Sequence, residues 1–298
     1  IYMERIMITG ASGQLGRALN RLLSPRNGYE LYRTDTSFSE QGLTALDITD
    51  GQAVMTLVND IKPDIVINCA AMTAVDLCES EPDKAYRINA LGPKYMAEAA
   101  ESIGAKLVHI STDYVFDGQA TEPYTESSIP NPVSVYGSTK LAGDKFVAGI
   151  CGKYFILRTA WVYGEGKNFI QTMLKLADSG KKIRVVSDQF GTPTSALELA
   201  KAVIFLMETD SYGLYNATCE GSTSWYEFAK AIFKEAGVKA EVEPITTAEY
   251  AAPAKRPMHS ILDNKALRDR HGYYMKEWMD AFREFMKENE SARCFTHN

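Results

Sequence analysis

Cysteine is scarce in this chain. Cys69, Cys78, Cys151, Cys219 and Cys294 are odd in number, scattered, and form no C-x-x-C pair. That pattern excludes a disulfide framework or a cysteine zinc site and suits reduced thiols in the cytoplasm. Histidine is scarcer still: His109, His259, His271 and His297 stand apart without ligand-type spacing, so no metal is expected. Long apolar runs are missing, the longest reaching only about ten residues against the ~20 needed to span a membrane. The amino terminus lacks the segments of a signal peptide, because Ile1-Tyr2-Met3-Glu4-Arg5 leads straight into an apolar strand, with Met3 a candidate start. Positive charge is also lacking. A net charge of −6, from 32 Lys+Arg against 38 Asp+Glu, leaves no field for a phosphate backbone, so no nucleic acid is expected as a partner. Repeats, low-complexity segments and flexible linkers are absent.

What remains is enzyme-like: 298 residues, 45% hydrophobic and 23% charged, enough for one large domain or two unequal ones. From Arg5 to about Tyr215, short β-branched runs alternate with segments of helical period, as in a parallel sheet covered by helices on both faces. Strands are expected at Arg5–Thr9, Glu30–Thr34, Asp64–Asn68, Lys106–Ser111, Tyr154–Arg158 and Lys182–Val186. Helices should begin near Gln14, Gly51, Asp83, Val135, Asn168 and Ala196, and Pro63 should stop the second of them. After Tyr215 the rhythm changes to a Gly/Ser/Thr stretch, a capped helix over Ser224–Gly237 and two terminal helical stretches.

The first expected strand runs into Gly10-Ala11-Ser12-Gly13-Gln14-Leu15-Gly16, a G-x-x-G-x-x-G loop opening a helix. Glycines allow a tight turn and close backbone approach, and helix N–H groups favour a pyrophosphate. A bare glycine loop can be a structural turn, but the strand before and helix after are the context that dinucleotide binding requires. Asp35, 19 residues beyond Gly16, can accept hydrogen bonds from an adenosine ribose diol, which favours NADH; Arg33 could pair with a 2′-phosphate instead, which keeps NADPH open. Asp47, Ile48, Ala70 and Ala71 end further strands on the same edge, although Ala70 and Ala71 alone would read as core packing. The expected fold is therefore α/β, a Rossmann-like doubly wound parallel sheet. Residues 1–160 and 183–215 would hold the dinucleotide, and 161–182 with 216–298 would form a smaller, mainly C-terminal substrate lobe.

A Tyr-x-x-x-Lys pair on a helix puts both side chains on one face. With 16 Tyr and 19 Lys, about one such pair arises by chance. Three occur: Tyr136/Lys140, Tyr163/Lys167 and Tyr226/Lys230. The second lies in a glycine-broken segment and the third on a late helix. Only Tyr136 and Lys140 begin the helix after the fourth expected sheet strand, behind Ser111-Thr112-Asp113, so Thr112, Tyr136 and Lys140 can converge beside a nicotinamide. Hydride arriving at a carbonyl leaves charge on oxygen, so a tyrosine proton, a lysine that favours tyrosinate and a threonine hydroxyl suit carbonyl reduction.

The glycine loop, Asn68-Cys69-Ala70-Ala71, Ser111 through Gly118 and Tyr136 through Lys140 together resemble an extended short-chain dehydrogenase/reductase. Thr73 through Asp76, Glu79 through Pro82, Arg158 through Tyr163, Asp188 through Thr194 and Arg256-Pro257 are similar to the dTDP-4-dehydrorhamnose reductase family. The resemblance implies reduction of the 4-keto group of dTDP-4-dehydro-L-rhamnose by NADH or NADPH. It makes Tyr136 the proton donor, Lys140 the ribose-binding partner and Thr112 the carbonyl-orienting hydroxyl. It places Ser111 and Met72 beside the cofactor, and Thr112, Asp113, Trp161 and, more weakly, Asn168, Gln189 and Arg256 beside the nucleotide sugar. Two departures stand out. Met72 replaces a histidine common in relatives, and Ala18 replaces the carboxylate with which some relatives bind a divalent ion at a dimer contact, so a homodimer here would not be metal-bridged. A sugar-nucleotide epimerase or dehydratase, and a non-catalytic regulatory subunit with the same fold, are the alternatives. Tyr114 after Thr112-Asp113, where dehydratases commonly add an acid, argues against dehydration.

Overall fold

The structure, a computed structural model, describes residues 3–36, 42–180 and 182–293; Cys294 and His297 lie outside them. Along the chain come β1 (Glu4–Thr9), α1 (Gln14–Leu23), β2 (Tyr29–Asp35), β3 (Leu43–Ala45), α2 (Gly51–Ile61) and β4 (Ile65–Asn68). Then follow α3 (Val75–Ser80), α4 (Pro82–Tyr86), a π-helical turn (Arg87–Leu91), α5 (Gly92–Ile103), β5 (Lys106–Thr112), a 3-10 turn (Asp113–Val115), α6 (Val135–Ile150) and β6 (Tyr154–Thr159). Next are β7 (Val162–Tyr163), α7 (Phe169–Asp178), β8 (Ile183–Val186), β9 (Phe190–Gly191), β10 (Thr194–Ser195), α8 (Ala196–Met207) and β11 (Gly213–Asn216). The chain closes with β12 (Thr223–Ser224), α9 (Trp225–Glu235), β13 (Val242–Ile245), α10 (Thr247–Tyr250), α11 (Lys265–His271) and α12 (Trp278–Arg293).

Seven strands form one parallel sheet in the order β11-β6-β5-β4-β1-β2-β3. The chain leaves β1 toward β2 on one side and returns through β4 on the other, so a crevice opens above the carboxyl ends of β1 and β4. Every residue of β4, Ile65-Val66-Ile67-Asn68, is buried, as a parallel strand covered on both faces requires. Leu15, Leu19 and Leu23 of α1 meet Leu199, Val203 and Leu206 of α8 on one face. Val54 and Val58 of α2, Met96 and Ala100 of α5 and Val147 of α6 cover the other. Each fully buried aliphatic side chain contributes roughly 1.5–3 kcal/mol. Asp50 caps α2 by accepting from Ala53 N at 3.0 Å, and the helix ends at Lys62, in the left-handed region at φ 50°, immediately before Pro63.

Two parts of the sheet differ from the sequence reading. Ile183–Val186 is a strand, but it pairs with β13 in a separate two-stranded sheet, and the seventh place in the large sheet belongs to Gly213–Asn216 beside β6. A short β-branched run looks the same in either setting; the free edge it meets decides. β3 has only three residues, too few to show a period. A third apolar cluster, including Tyr163, Phe228, Ile232, Trp278 and Phe282, packs β7, α9 and α12 together beyond the sheet.

Candidate active site

The carboxyl edge of the sheet opens into a cleft of ≈ 710 Å³. β1 is followed by Gly10, whose φ is +63° and whose added Cβ would stand 2.8 Å from Ala70 N, so the first loop lies directly on the backbone after β4. Gly16 seats α1 on the same loop, since a Cβ there would stand 2.5 Å from Gly10 O. Gly13 caps α1 with no side-chain bond, which leaves the first N–H groups and the positive end of the helix dipole to an anion. Gly13, Gln14, Leu15 and Ala71 line the cleft. The close turn these glycines allow, with the uncapped start of α1 open to the cleft at Gly13, fits the pyrophosphate of a dinucleotide.

Asp35 closes β2 beside that loop. Its Oδ2 accepts from Ser12 N at 3.1 Å and Ser12 Oγ at 2.6 Å, and its Oδ1 accepts from Thr36 N at 2.7 Å. Burial works to raise its pKa, but these hydrogen bonds outweigh burial and hold it below the usual carboxylate value. Asp47 is exposed after β3, with Oδ1 accepting from Thr49 N and Oγ1, while Ile48 is buried against Gly92.

The chemistry-bearing groups come from β5 and α6. Ser134 caps α6 by accepting from Gly137 N at 3.1 Å. Gly137 lets the helix rest on the 3-10 turn after β5, because a Cβ there would stand 2.1 Å from Tyr114 O. Tyr136 and, one turn on, Lys140 therefore reach Ser111, Thr112 and Asp113, and all five line the cleft. Tyr136, Lys140 and Thr112 are 8%, 2% and 4% exposed. Burial pushes the Tyr136 phenol up, and a hydrogen bond with Thr112 pulls the other way. Lys140 is pushed down to about 8 by burial, against the opposing pull of Asp144 and Cys69, and its Nζ donates to Ile110 O at 2.6 Å. Asp113 is pushed up to about 6 by burial, and its Oδ1 accepts from the Thr112 hydroxyl at 3.0 Å. A neutral phenol that holds its proton, a neighbouring ammonium and a hydroxyl in a dry wall can protonate an oxygen on which charge develops.

Trp161 borders the cleft with its backbone at φ 47°. Its indole stacks on Trp225 with centroids 3.6 Å apart and lies over Gly191, where a Cβ would stand 2.5 Å from the ring. Three expected substrate residues are held by the protein itself. Asn168 caps α7 and donates to Gly164 O at 2.6 Å and Gln14 Oε1 at 3.3 Å. Gln189 is 3% exposed and donates to Thr247 Oγ1 at 3.0 Å. Arg256 forms a two-pronged pair with Asp76, at 3.0 and 2.9 Å. None of the three lines the cleft. Met72 also stands back from it: Asn89 holds its backbone N and O, and its side chain packs behind Tyr136.

Trp225 and Asn89 were not picked out from the sequence, and Tyr114 was singled out only as an argument against dehydration, not as a residue of the site. Tyr114 meets the Tyr136 ring edge-on at 5.3 Å, and its place directly after Thr112-Asp113 was a usable signal. Trp225 heads a helix remote in sequence, and Asn89 sits in the π-helical turn and donates to Thr139 Oγ1 at 3.3 Å; neither lies in a local pattern of its own.

Comparison with known proteins places the whole chain beside sugar-nucleotide reductases. The chain is 42% identical over 291 residues to the spore coat polysaccharide biosynthesis protein SpsK of Bacillus subtilis (strain 168), covering 97% of this chain and 99% of that protein. The crystal structure of a dTDP-4-dehydrorhamnose reductase from Clostridium acetobutylicum ATCC 824 superposes with a TM-score of 0.92 at 47% identity, covering 96% of this chain and 99% of that one. A dTDP-4-dehydrorhamnose reductase from Bacillus anthracis str. Ames, solved in complex with NADP, gives 0.91 at 43% identity, with 96% and 99% covered. The RmlD substrate binding domain model matches residues 3–291, and the chain belongs to that family.

Proposed function

We propose that this protein reduces the 4-keto group of dTDP-4-dehydro-L-rhamnose to give dTDP-L-rhamnose, using NADH or NADPH. The observation that carries the reading is the meeting of Thr112, Tyr136 and Lys140 in the wall of one cleft whose floor begins at the glycine loop. The names of the similar reductases supply the sugar nucleotide. When bound, the reduced nicotinamide supplies hydride to the carbonyl carbon.

The chain's own residues do the rest. Gly10, Gly13 and Gly16 leave room for the pyrophosphate at the start of α1, and Asp35 faces the adenosine ribose. Asp47, Ile48 and Ala70 flank the adenine side, and Ala71 and Ser111 border the nicotinamide side. Thr112 orients the carbonyl oxygen, and the Tyr136 hydroxyl gives it a proton. Lys140 stabilises the resulting tyrosinate and holds the ribose hydroxyls. Trp161 and Asp113 border the sugar nucleotide. Burial favours this order of events, since it keeps the phenol protonated until charge appears beside it.

Incubation with the 4-keto sugar nucleotide and reduced cofactor should consume one NAD(P)H for each product formed, read by loss of nicotinamide absorbance. An isomerised sugar without net cofactor oxidation would replace reduction by epimerisation.

A further inference from the structure

Lys140 is a buried cation whose hydrogen bond, among the described residues, goes to a neutral carbonyl. A charge so placed needs a nearby counter-charge. One turn further along α6 stands Asp144, 4% exposed and turned onto β5 and β6. Its Oδ2 accepts from Ser111 Oγ at 2.8 Å and lies 3.5 Å from Arg158 Nε. Its Oδ1 lies 3.6 Å from His109 Nε2, and neither of these two atoms has a closer partner.

The direction of this chain of contacts follows from chemistry. Thr9 Oγ1 donates to Asn68 Oδ1 at 2.7 Å, so the amide nitrogen of Asn68 faces His109 Nδ1, at 3.3 Å, and must donate to it. The imidazole then carries its proton on Nε2, toward Asp144, and burial keeps the ring neutral by lowering its pKa well below the ordinary value. Arg158 and the Nε2–H of His109 can only donate and Ser111 Oγ lies within hydrogen-bond reach, so this setting favours the Asp144 carboxylate, although burial pushes its pKa upward. It pairs directly with the buried Arg158, and its charge also acts on the buried Lys140 one turn back along α6. Four strands, β1, β4, β5 and β6, contribute to its setting beneath the reactive edge.

We infer that Asp144 is a positioning residue whose carboxylate, one turn along α6, keeps Lys140 charged beneath the reduction site. This rests on the reductase reading above. The titratable groups that act on Lys140 are Asp144 on the same helix, Cys69 after β4 and His109 on β5, and Arg158 on β6 pairs with the same Asp144. Of these, Asp144 is the anion that opposes the desolvation of the ammonium most strongly. Removing its charge should lower the Lys140 pKa, and removing the competing charge of Arg158 should raise it.

The test uses the full chain and follows the lysine directly by nitrogen-15 NMR titration, with Lys140→Met to assign the signal, alongside the pH profile of turnover. Asp144→Asn should move the Lys140 midpoint and the alkaline limb of kcat/KM down by about one pH unit, roughly a ten-fold loss of turnover on that limb. Asp144→Glu should restore both. Arg158→Met should shift the same midpoint upward, and this opposite sign keeps the test decisive if Asp144→Asn does not fold. An unmoved Lys140 midpoint in whichever of the two variants folds overturns the inference. A reductase whose profile keeps its midpoint while only thermal stability falls makes Asp144 merely structural. Loss of the reductase reading itself would show as no turnover in the parent chain while the NMR titration still reports on Lys140.

Discussion

Two tyrosines in this chain stand four residues before a lysine on a helix and meet different fates. Lys230 is exposed, lies 4.7 Å over the Tyr226 ring and pairs with Glu227. Tyr136 and Lys140 are buried against β5 and line the cleft. Identical spacing acquires chemistry only where water is excluded and a third group is at hand. Tyr136→Phe should therefore lower kcat by about 10²–10⁴-fold with cofactor affinity nearly unchanged in a fluorescence titration; normal turnover would sink the assignment. Asp35 decides a different preference. Its carboxylate repels a 2′-phosphate, so Asp35→Ala should raise kcat/KM for NADPH relative to NADH by roughly ten-fold, measured with both cofactors in the same assay. Asn168, Gln189 and Arg256 show the limit of residue-level reading. An amide or guanidinium that could contact a sugar can equally bridge backbone or pair with a carboxylate, and here each has a protein partner.

At the scale of the element, α6 carries the site and contains contrasting glycines. A Cβ on Gly137 would strike the backbone of Tyr114 at 2.1 Å, whereas one on Gly149 would meet nothing within 4 Å. Gly137→Ala must lift the first turn of the helix and Tyr136 with it. We expect a loss of about 1–3 kcal/mol in stability together with a sharp fall in kcat. Gly149→Ala relieves only backbone entropy and should gain up to about 1 kcal/mol with kcat unchanged. Denaturant unfolding and steady-state rates on the pair separate the two effects, and equal behaviour would disprove the close packing of α6 on the turn. The start of this helix at Val135 was legible because Ser134 is a good cap and Tyr-x-x-x-Lys follows it. Its backbone contact with Tyr114 was not, since nothing local marks which glycine faces a neighbour.

For the whole molecule, the pair between Asp76 on α3 and Arg256 ties the sheet's cleft wall to the C-terminal segment, and Asp76 also accepts from Ala254 N at 3.1 Å. The hydrogen bond from Arg256 leads in holding the Asp76 carboxyl below its ordinary value of 3.8. A depressed carboxylate stabilises the fold fully above its unfolded pKa and loses that contribution as pH falls through the lower folded value. Asp76 is 40% exposed, so solvent screens the pair and limits it to at most about 1 kcal/mol. Asp76→Asn should lower the thermal midpoint at neutral pH by a small amount, and the gap to the parent should close in strong acid. A gap that persists there would mean the pair is not its source.

By itself the sequence determined the alternating βα architecture, the glycine loop and the placing of Tyr136 and Lys140 on one face of a helix, because each rests on local spacing: strand period, helix caps, and neighbours one turn apart. Only the tertiary structure decided that Ile183–Val186 leaves the large sheet, that Arg256 pairs with Asp76, that Trp225 stacks on Trp161 and that Asp144 gathers Ser111, His109 and Arg158. Those outcomes depend on which distant segments share a dry interior, where an unpaired charge or an open strand edge is costly, and no pattern of near neighbours records that choice.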